Sequence, residues 1–224
     1  YFSSAASDVY KRQLQCHWSE VLPRLKVFGS MTRRLLGVVL AGGASRRMGA
    51  DKALLTHPDG SSWLEAQVQL LRSVGLEVCV LSGHGRHHAL LSSRKGVTVQ
   101  AEPWQPAGPL WALSCVLHER DDEALLTVPV DMPGLRLDAL QQLIRCWTPQ
   151  QARALVADDG SRLQHLFGIY PCGALHRKAL DDELTEGKGR WSCWLERIPH
   201  DTVKLPPDQL LNVNRPIDLE ALTG

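Results

Sequence analysis

Leu35-Leu36-Gly37-Val38-Val39-Leu40-Ala41-Gly42-Gly43-Ala44-Ser45-Arg46-Arg47-Met48-Gly49-Ala50-Asp51-Lys52 is an aliphatic run that stops at a glycine pair and continues into a basic segment. The run Leu35 to Leu40 reads as a buried strand. Glycines directly after a strand let backbone N–H groups approach a ligand and converge on one concavity, the arrangement that cradles phosphate. Arg47 and Lys52 add positive charge beside it. The spacing matches neither Gly-x-x-x-x-Gly-Lys-Ser/Thr nor Gly-x-Gly-x-x-Gly, which disfavours the P-loop and the dinucleotide fingerprint.

Outward from this stretch, short aliphatic runs alternate with amphipathic ones, the signature of βαβ units and a mainly parallel sheet. Ser62-x-x-Glu65 is a capping box that opens a helix to about Ser73, with Leu64, Val68 and Leu71 on one face. Strands are predicted over Glu77 to Ser82 and Val97 to Gln100, and a helix over Pro109 to Glu119 with proline near its start. Ala124 to Val130 is the strongest strand, ended by Asp131-Met132-Pro133-Gly134. A helix over Leu137 to Trp147 follows. Arg153 to Ala157 and Leu166 to Tyr170 flank the turn signal Asp158-Asp159-Gly160, which predicts antiparallel strands rather than another crossover. Leu175 to Leu184, Trp191 to Glu196 and Pro216 to Leu222 are helical candidates around a last strand, Thr202 to Leu205. The fold class is therefore α/β, a mostly parallel sheet with an antiparallel addition.

The 224 residues carry a net charge of +1 with Lys and Arg scattered, so no basic footprint for nucleic acid exists. The six cysteines form no Cys-x-x-Cys pair, and reduced thiols in a cytoplasmic protein are expected. No apolar run approaches the roughly 20 residues that span a bilayer, so no membrane is expected. Residues 1–30 lack an initiating Met and the apolar core of an export signal, and Ser4 to Gln13 resembles translated sequencing-adapter read-through. They are expected to be a non-native or disordered extension ahead of one domain over 31–224. His84, His87 and His88 follow a glycine-rich turn without a Cys or carboxylate at ligand spacing, and are expected in a solvated loop.

Asp131, at the carboxyl end of its strand, can reach a ligand over the first loop, and Mg²⁺ prefers one or two carboxylates plus phosphate oxygens and water. On residue type alone, capping the following helix or turn is the commoner role. Residues 40–52 resemble the signature Leu-Ala-Gly-Gly-x-Ser-x-Arg-Met-Gly-x-x-Lys of the molybdenum cofactor nucleotidyltransferases, a family similar to the wider nucleoside-triphosphate transferases on a Rossmann-like, three-layer sheet. Three further segments extend the resemblance over about Leu35 to Leu222. Asp131-Met132-Pro133 matches the family's Asp-x-Pro, which implies that Asp131 holds Mg²⁺. Glu102 before Gly108-Pro109-Leu110 stands where the family pairs an Asp with guanine, while Trp111-Ala112 replaces its usual Ala-Gly. Asn212-Val213-Asn214-Arg215-Pro216-Ile217-Asp218-Leu219 resembles the family's pterin-side Asn-x-Asn-x-Pro-x-Asp-Leu. Read blandly, Glu102 is a surface carboxylate and Asn214 a helix N-cap.

The resemblance implies a molybdenum cofactor guanylyltransferase that joins GMP from GTP to the phosphate of molybdopterin or Mo-molybdopterin. Leu40, Ala41, Gly42, Gly43, Lys52, Glu102, Gly108 and Asp131 would bind GTP, with Lys52, Arg47 and Asp131 catalytic and Asn212 and Asn214 toward molybdopterin. Molybdenum-insertion proteins and molybdoenzyme chaperones are the implied partners, and a monomer is expected. A cytidylyltransferase of the same kind and a non-catalytic nucleotide-binding module are the alternatives; the Gly-Pro-Leu and Leu166-Phe167-Gly168-Ile169-Tyr170 segments favour guanine, and retention of Lys52 and Asp131 favours catalysis.

Overall fold

The computed structural model describes residues 34–42, 51–101, 108–121, 123–186, 189–214 and 218. All of them fall within one compact unit, Arg34–Gly224. The expectation placed on residues 1–30 lies outside the described residues, as does that for most of the helix over Pro216 to Leu222.

In chain order the strands are β1 (Arg34–Leu40), β2 (Val78–Leu81), β3 (Val97–Gln100), β4 (Glu123–Pro129), β5 (Ala154–Asp158), β6 (Leu163–Pro171) and β7 (His200–Lys204). The helices are α1 (Trp63–Ser73), α2 (Gly85–Leu91), α3 (Pro109–His118), α4 (Leu137–Cys146), α5 (Ala174–Thr185) and α6 (Trp191–Glu196). The strands form one seven-stranded sheet in the order β3-β2-β1-β4-β6-β5-β7. Pairing is parallel except at β6, which runs antiparallel to both β4 and β5. An α/β sheet with an antiparallel addition is thus what forms.

Local chemistry explains where the helices begin. Ser62 accepts from the Glu65 N–H while the Glu65 carboxylate accepts from the Ser62 N–H, closing the predicted capping box, a device that stabilises by about 1 kcal/mol. Its helix buries Leu64, Val68 and Leu71 against the sheet. Pro109 opens α3, where its missing N–H costs nothing, behind Gly108 at φ +90°. The central strands are buried along almost their whole length, as two covered faces require.

One segment departs from expectation. The glycines at 83 and 85 read as loop punctuation, yet Gly85 begins α2, and at a helix start its entropic cost is small. His84 and His88 are exposed as expected, but His87 and Leu91, four residues apart on one face, are buried. A solvated loop is wrong for His87.

The antiparallel strand depends on a close backbone approach. Gly168 pairs with Thr127 on one side and Val156 on the other, beside a bulge at Val156/Ala157. A Cβ there would lie 2.7 Å from the Leu155 carbonyl oxygen and 3.2 Å from the Tyr170 ring. Gly168→Ala should therefore destabilise the protein by about 1–3 kcal/mol, because backbone cannot retreat as a flexible side chain can. Gly83→Ala, which meets nothing within 4 Å, should be near neutral. Chemical denaturation of the two variants checks this, and equal midpoints would contradict the close-approach account.

Candidate active site

The parallel strands β1, β2 and β4 end at one edge of the sheet, with Leu40 opposite Leu81 on one side and Pro129 on the other. Backbone hydrogen bonds continue the ladder past the strands: Ala41 N–H donates to Leu81 O (3.0 Å) and Val130 N–H to Leu40 O (3.1 Å). The exits of three strands are therefore fixed together. Ligands of open α/β sheets bind at this carboxyl edge.

Asp131 follows β4 there, its side chain 23% exposed. Its turn is held from α1, where the buried Gln67 amide donates to Met132 O at 2.7 Å, and His57 Nε2 lies 3.1 Å from Pro133 O. Burial pushes the Asp131 carboxyl above its ordinary value, and Lys52 pulls it back only in part.

Lys52 arrives from the first-loop side on a one-turn helix, Lys52–Leu54, capped by Asp51, whose Oδ1 accepts from Ala53 N–H at 3.1 Å. Its Nζ lies 3.8 Å from Asp131 Oδ2 and donates to Asn214 Oδ1 at 2.8 Å. The loop residue and the strand-end carboxylate, far apart in sequence, thus meet with the C-terminal Asn segment between them.

That segment is itself anchored on Asp131, whose carbonyl accepts from Val213 N–H at 2.8 Å. Asn212 donates through Nδ2 to Gln164 Oε1 at 2.9 Å. Turned over, the same amide would donate to Asp131 Oδ1 across 3.2 Å and accept from Arg162 Nη2 at 3.2 Å. The swapped orientation is the one that satisfies both ends of the amide, since otherwise its oxygen faces the Asp131 carboxylate. A carboxylate alone favours the nitrogen; a cation on that carboxylate favours the oxygen. Gln164 is held in turn by Asp159, at 2.6 Å.

Of the residues expected at the site, Lys52, Asp131, Asn212 and Asn214 come together, and Leu40, Ala41 and Gly42 lie at the same edge. Gly108 is the N-cap of α3, with Trp111 on its first turn 39% exposed. Gly43, Arg47 and Glu102 lie outside the described residues. Asp51, Gln164 and Arg162 were not singled out from the sequence, and His87 was expected in a solvated loop. Asp51 sits within the quoted stretch and its capping geometry was available there; the others have partners that only the strand order brings near.

Among the described residues no cluster of three or more His, Cys, Asp or Glu side chains is placed to hold a metal. One carboxylate and an amide oxygen nonetheless fit a hard cation completed by phosphate and water oxygens. No described helix is long and apolar enough to cross a membrane.

The MobA-like NTP transferase domain family matches residues 37–202. A probable molybdenum cofactor guanylyltransferase of Rhodopirellula baltica is 36% identical over 198 residues, 83% of this chain and 90% of that protein. One from Synechococcus elongatus is 31% identical over 194 residues, covering 83% and 96%. Among solved structures, a nucleotidyl transferase from Methanothermobacter superposes with a TM-score of 0.69 at 20% identity, over 84% of this chain and 95% of that one. Molybdopterin-guanine dinucleotide biosynthesis protein A from Archaeoglobus fulgidus gives 0.63 at 20% identity, over 82% and 94%. The structural likenesses carry the fold.

The raised Asp131 pKa sets a stability test with a definite sign. A carboxyl whose folded pKa lies above its unfolded value favours the folded state while protonated, and that contribution disappears as pH rises through the folded value. Asp131→Asn, which never ionises, should therefore melt higher than the parent at pH 7 without metal, and the gap should close as pH falls through the carboxylate range. A lower melting temperature for the variant at pH 7 would show that the charged pair with Lys52 stabilises on balance.

Proposed function

The chain belongs to the MobA-like NTP transferase family and is a nucleotidyltransferase, and on that premise we propose that it transfers GMP from GTP to the phosphate of molybdopterin or Mo-molybdopterin. The observation that carries this reading is the meeting of Lys52, Asp131 and the Asn212–Asn214 segment at the carboxyl edge of the sheet. The guanylyltransferase names of the relatives support guanine as the base.

A terminal phosphate oxygen of molybdopterin attacks the α-phosphorus of GTP; the bond from that phosphorus to the β-phosphate oxygen breaks, and pyrophosphate leaves with the bonding pair. A phosphate monoester is largely dianionic near neutral pH, its second pKa being about 6, so no strong general base is needed. Positioning and charge neutralisation then carry the rate. Lys52 and Arg47 neutralise the triphosphate, and the N–H groups around Gly42 and Gly43 orient it. Asp131 would hold Mg²⁺; when bound, the ion screens the negative charge that the phosphates share. Glu102 is assigned to the guanine edge, with Leu40 and Gly108 lining the same nucleotide site. Asn212 and Asn214 face molybdopterin, where their amides both donate and accept.

We assign residues 31–224 to this domain, acting as a monomer in the cytoplasm; molybdenum-insertion proteins and molybdoenzyme chaperones complete its partners.

The direct test is incubation with molybdopterin, Mg²⁺ and each of the four nucleoside triphosphates, followed by mass analysis of the pterin. GTP should yield the guanine dinucleotide with one pyrophosphate per turnover. A product from CTP in preference would make it a cytidylyltransferase, and no product from any triphosphate would remove the catalytic reading. Lys52→Ala should weaken GTP about tenfold and GMP much less, since one charge-assisted contact to the outer phosphates is lost. Equal weakening of both nucleotides would move Lys52 to the α-phosphate.

A further inference from the structure

Asp51, the residue before Lys52, uses both carboxylate oxygens inside the protein. Oδ1 caps the one-turn helix through Ala53 N–H, and Oδ2 lies 2.9 Å from Nε2 of His87. His87 is fully buried at the carboxyl end of β2, on the first turn of α2. Its other nitrogen, Nδ1, lies 2.6 Å from Ser82 Oγ, and that oxygen accepts from His84 N–H at 3.1 Å.

The direction of this chain follows from donor and acceptor inventory. An ionised carboxylate has no hydrogen to give, so Nε2 carries the proton and donates to Asp51. Ser82 Oγ takes the His84 N–H and sends its own hydrogen to Nδ1. Every member is then satisfied with a neutral imidazole in one tautomer. Burial pushes the His87 pKa down against the pull of Asp51, in keeping with that neutral form.

A buried histidine in such a network could serve packing alone. What it grips argues for more. A single 3₁₀ turn of three residues does not hold itself together. At its far end Leu55 O accepts from Trp63 N–H at 2.9 Å, which ties it to α1. At its near end Asp51 reaches across the fold to His87. Lysine has a long side chain with many rotamers, so the affinity of its ammonium for a phosphate depends on how well its backbone is held.

We propose that His87 is a positioning residue for the triphosphate end of the site: donating from Nε2 to Asp51, it pins the Lys52 turn to the carboxyl end of β2 and holds the lysine toward Asp131. The inference rests on the reading of Lys52 as a ligand of the outer phosphates. It adds that the nucleotide half of the site is assembled from β2 and α2 as well as from the first loop, through a residue that touches no substrate.

The two amide isosteres of histidine separate positioning from packing. Glutamine places its amide nitrogen near Nε2 and keeps a donor for Asp51, whereas asparagine reaches only the Nδ1 position beside Ser82. Dissociation constants for GTP and GMP with Mg²⁺ are measured by calorimetry on the full chain, alongside kcat, KM and melting temperature. His87→Asn should weaken GTP about tenfold, the scale of one lost hydrogen bond to a charged group, and GMP less than twofold. His87→Gln should restore GTP to within about threefold of the parent. Asp51→Ser keeps a cap for Ala53 N–H but cannot reach His87, so it should reproduce the His87→Asn pattern and provides the readout if His87→Asn does not fold. The double variant should be no weaker than either single one, because both remove the same contact. Equal losses for GTP and GMP in both isosteres, tracking melting temperature, would make His87 a packing residue. An unchanged GTP-to-GMP ratio in His87→Asn or Asp51→Ser, with that ratio lowered in Lys52→Ala, would overturn the inference and leave the phosphate role of Lys52 standing. An unchanged ratio in Lys52→Ala itself would remove both.

Discussion

The parallel pairing of β1 with β2 on one side and β4 on the other is the constraint on which the site depends. Their registers bring Leu40, Leu81 and Pro129 to one level, and two backbone hydrogen bonds beyond the strands keep the departing chains together. Parallel strands can be joined only by crossovers, so chain segments distant in sequence are delivered to the same edge. From β1 comes the glycine loop with Lys52 at its far side, from β2 the Ser82–His87 network, and from β4 the Asp131 carboxylate. Gly37 lets this pairing sit close under α1: a Cβ there would come within 3.1 Å of the Leu71 side chain and 3.3 Å of the Glu77 carbonyl. A shift in any of the three strands would move all three contributions at once.

Electrostatics works against the fold at this edge. Asp131 is raised in pKa even beside Lys52, so the neighbours do not compensate it fully. Lys52 is shared, with its shorter contact to Asn214 rather than to Asp131. A site tuned for stability alone would pair the two charges tightly or replace them by apolar groups. An under-compensated carboxylate is what the proposed role of Asp131 as a cation ligand requires. That is the local inconsistency expected where function outweighs stability.

How much of this could be read from sequence follows from the range of each interaction. The capping box at Ser62, the proline opening α3 and the Asp158-Asp159-Gly160 turn are local, and each forms where its residues predict. Helix α2 was missed because Gly83 and Gly85 carry a strong breaker signal and because a histidine at 87 reads as polar. The i, i+4 relation of His87 to Leu91 was the available hint, but two residues do not make a period. Lys52 and Asp131 were legible as site candidates because each stands at the end of a recognisable strand-and-loop unit. That Lys52 bonds Asn214 was not, since it depends on the path taken by the C-terminal segment after β7. The roles of Gln164 and Arg162 were illegible for the same reason: they need β6 to lie beside β4, an order no local pattern specifies.

That strand order divides the site into two halves of different construction. Because β6 runs antiparallel to β4, with Thr127 opposite Gly168 and Ala124 opposite Pro171, its start rather than its end lies toward the carboxyl edge. Gln164 and the Asp159–Arg162 turn are thereby carried to the level of Asp131. Strand β7 is parallel to β5 and exits at the same edge, where Leu205 N–H donates to Asp158 O before the chain crosses to Asn212. The parallel half, β1 to β3, thus carries Lys52 and the Asp51–His87–Ser82 network, the part of the site to which the proposed phosphate role falls. The antiparallel half presents amides and an arginine, groups suited to a heterocycle edge and its phosphate. Asp131, on the last parallel strand before the reversal, is shared by both. In the proposed transfer between two phosphates the charge would be met from both sides, with the groups on the reversed strand forming the second.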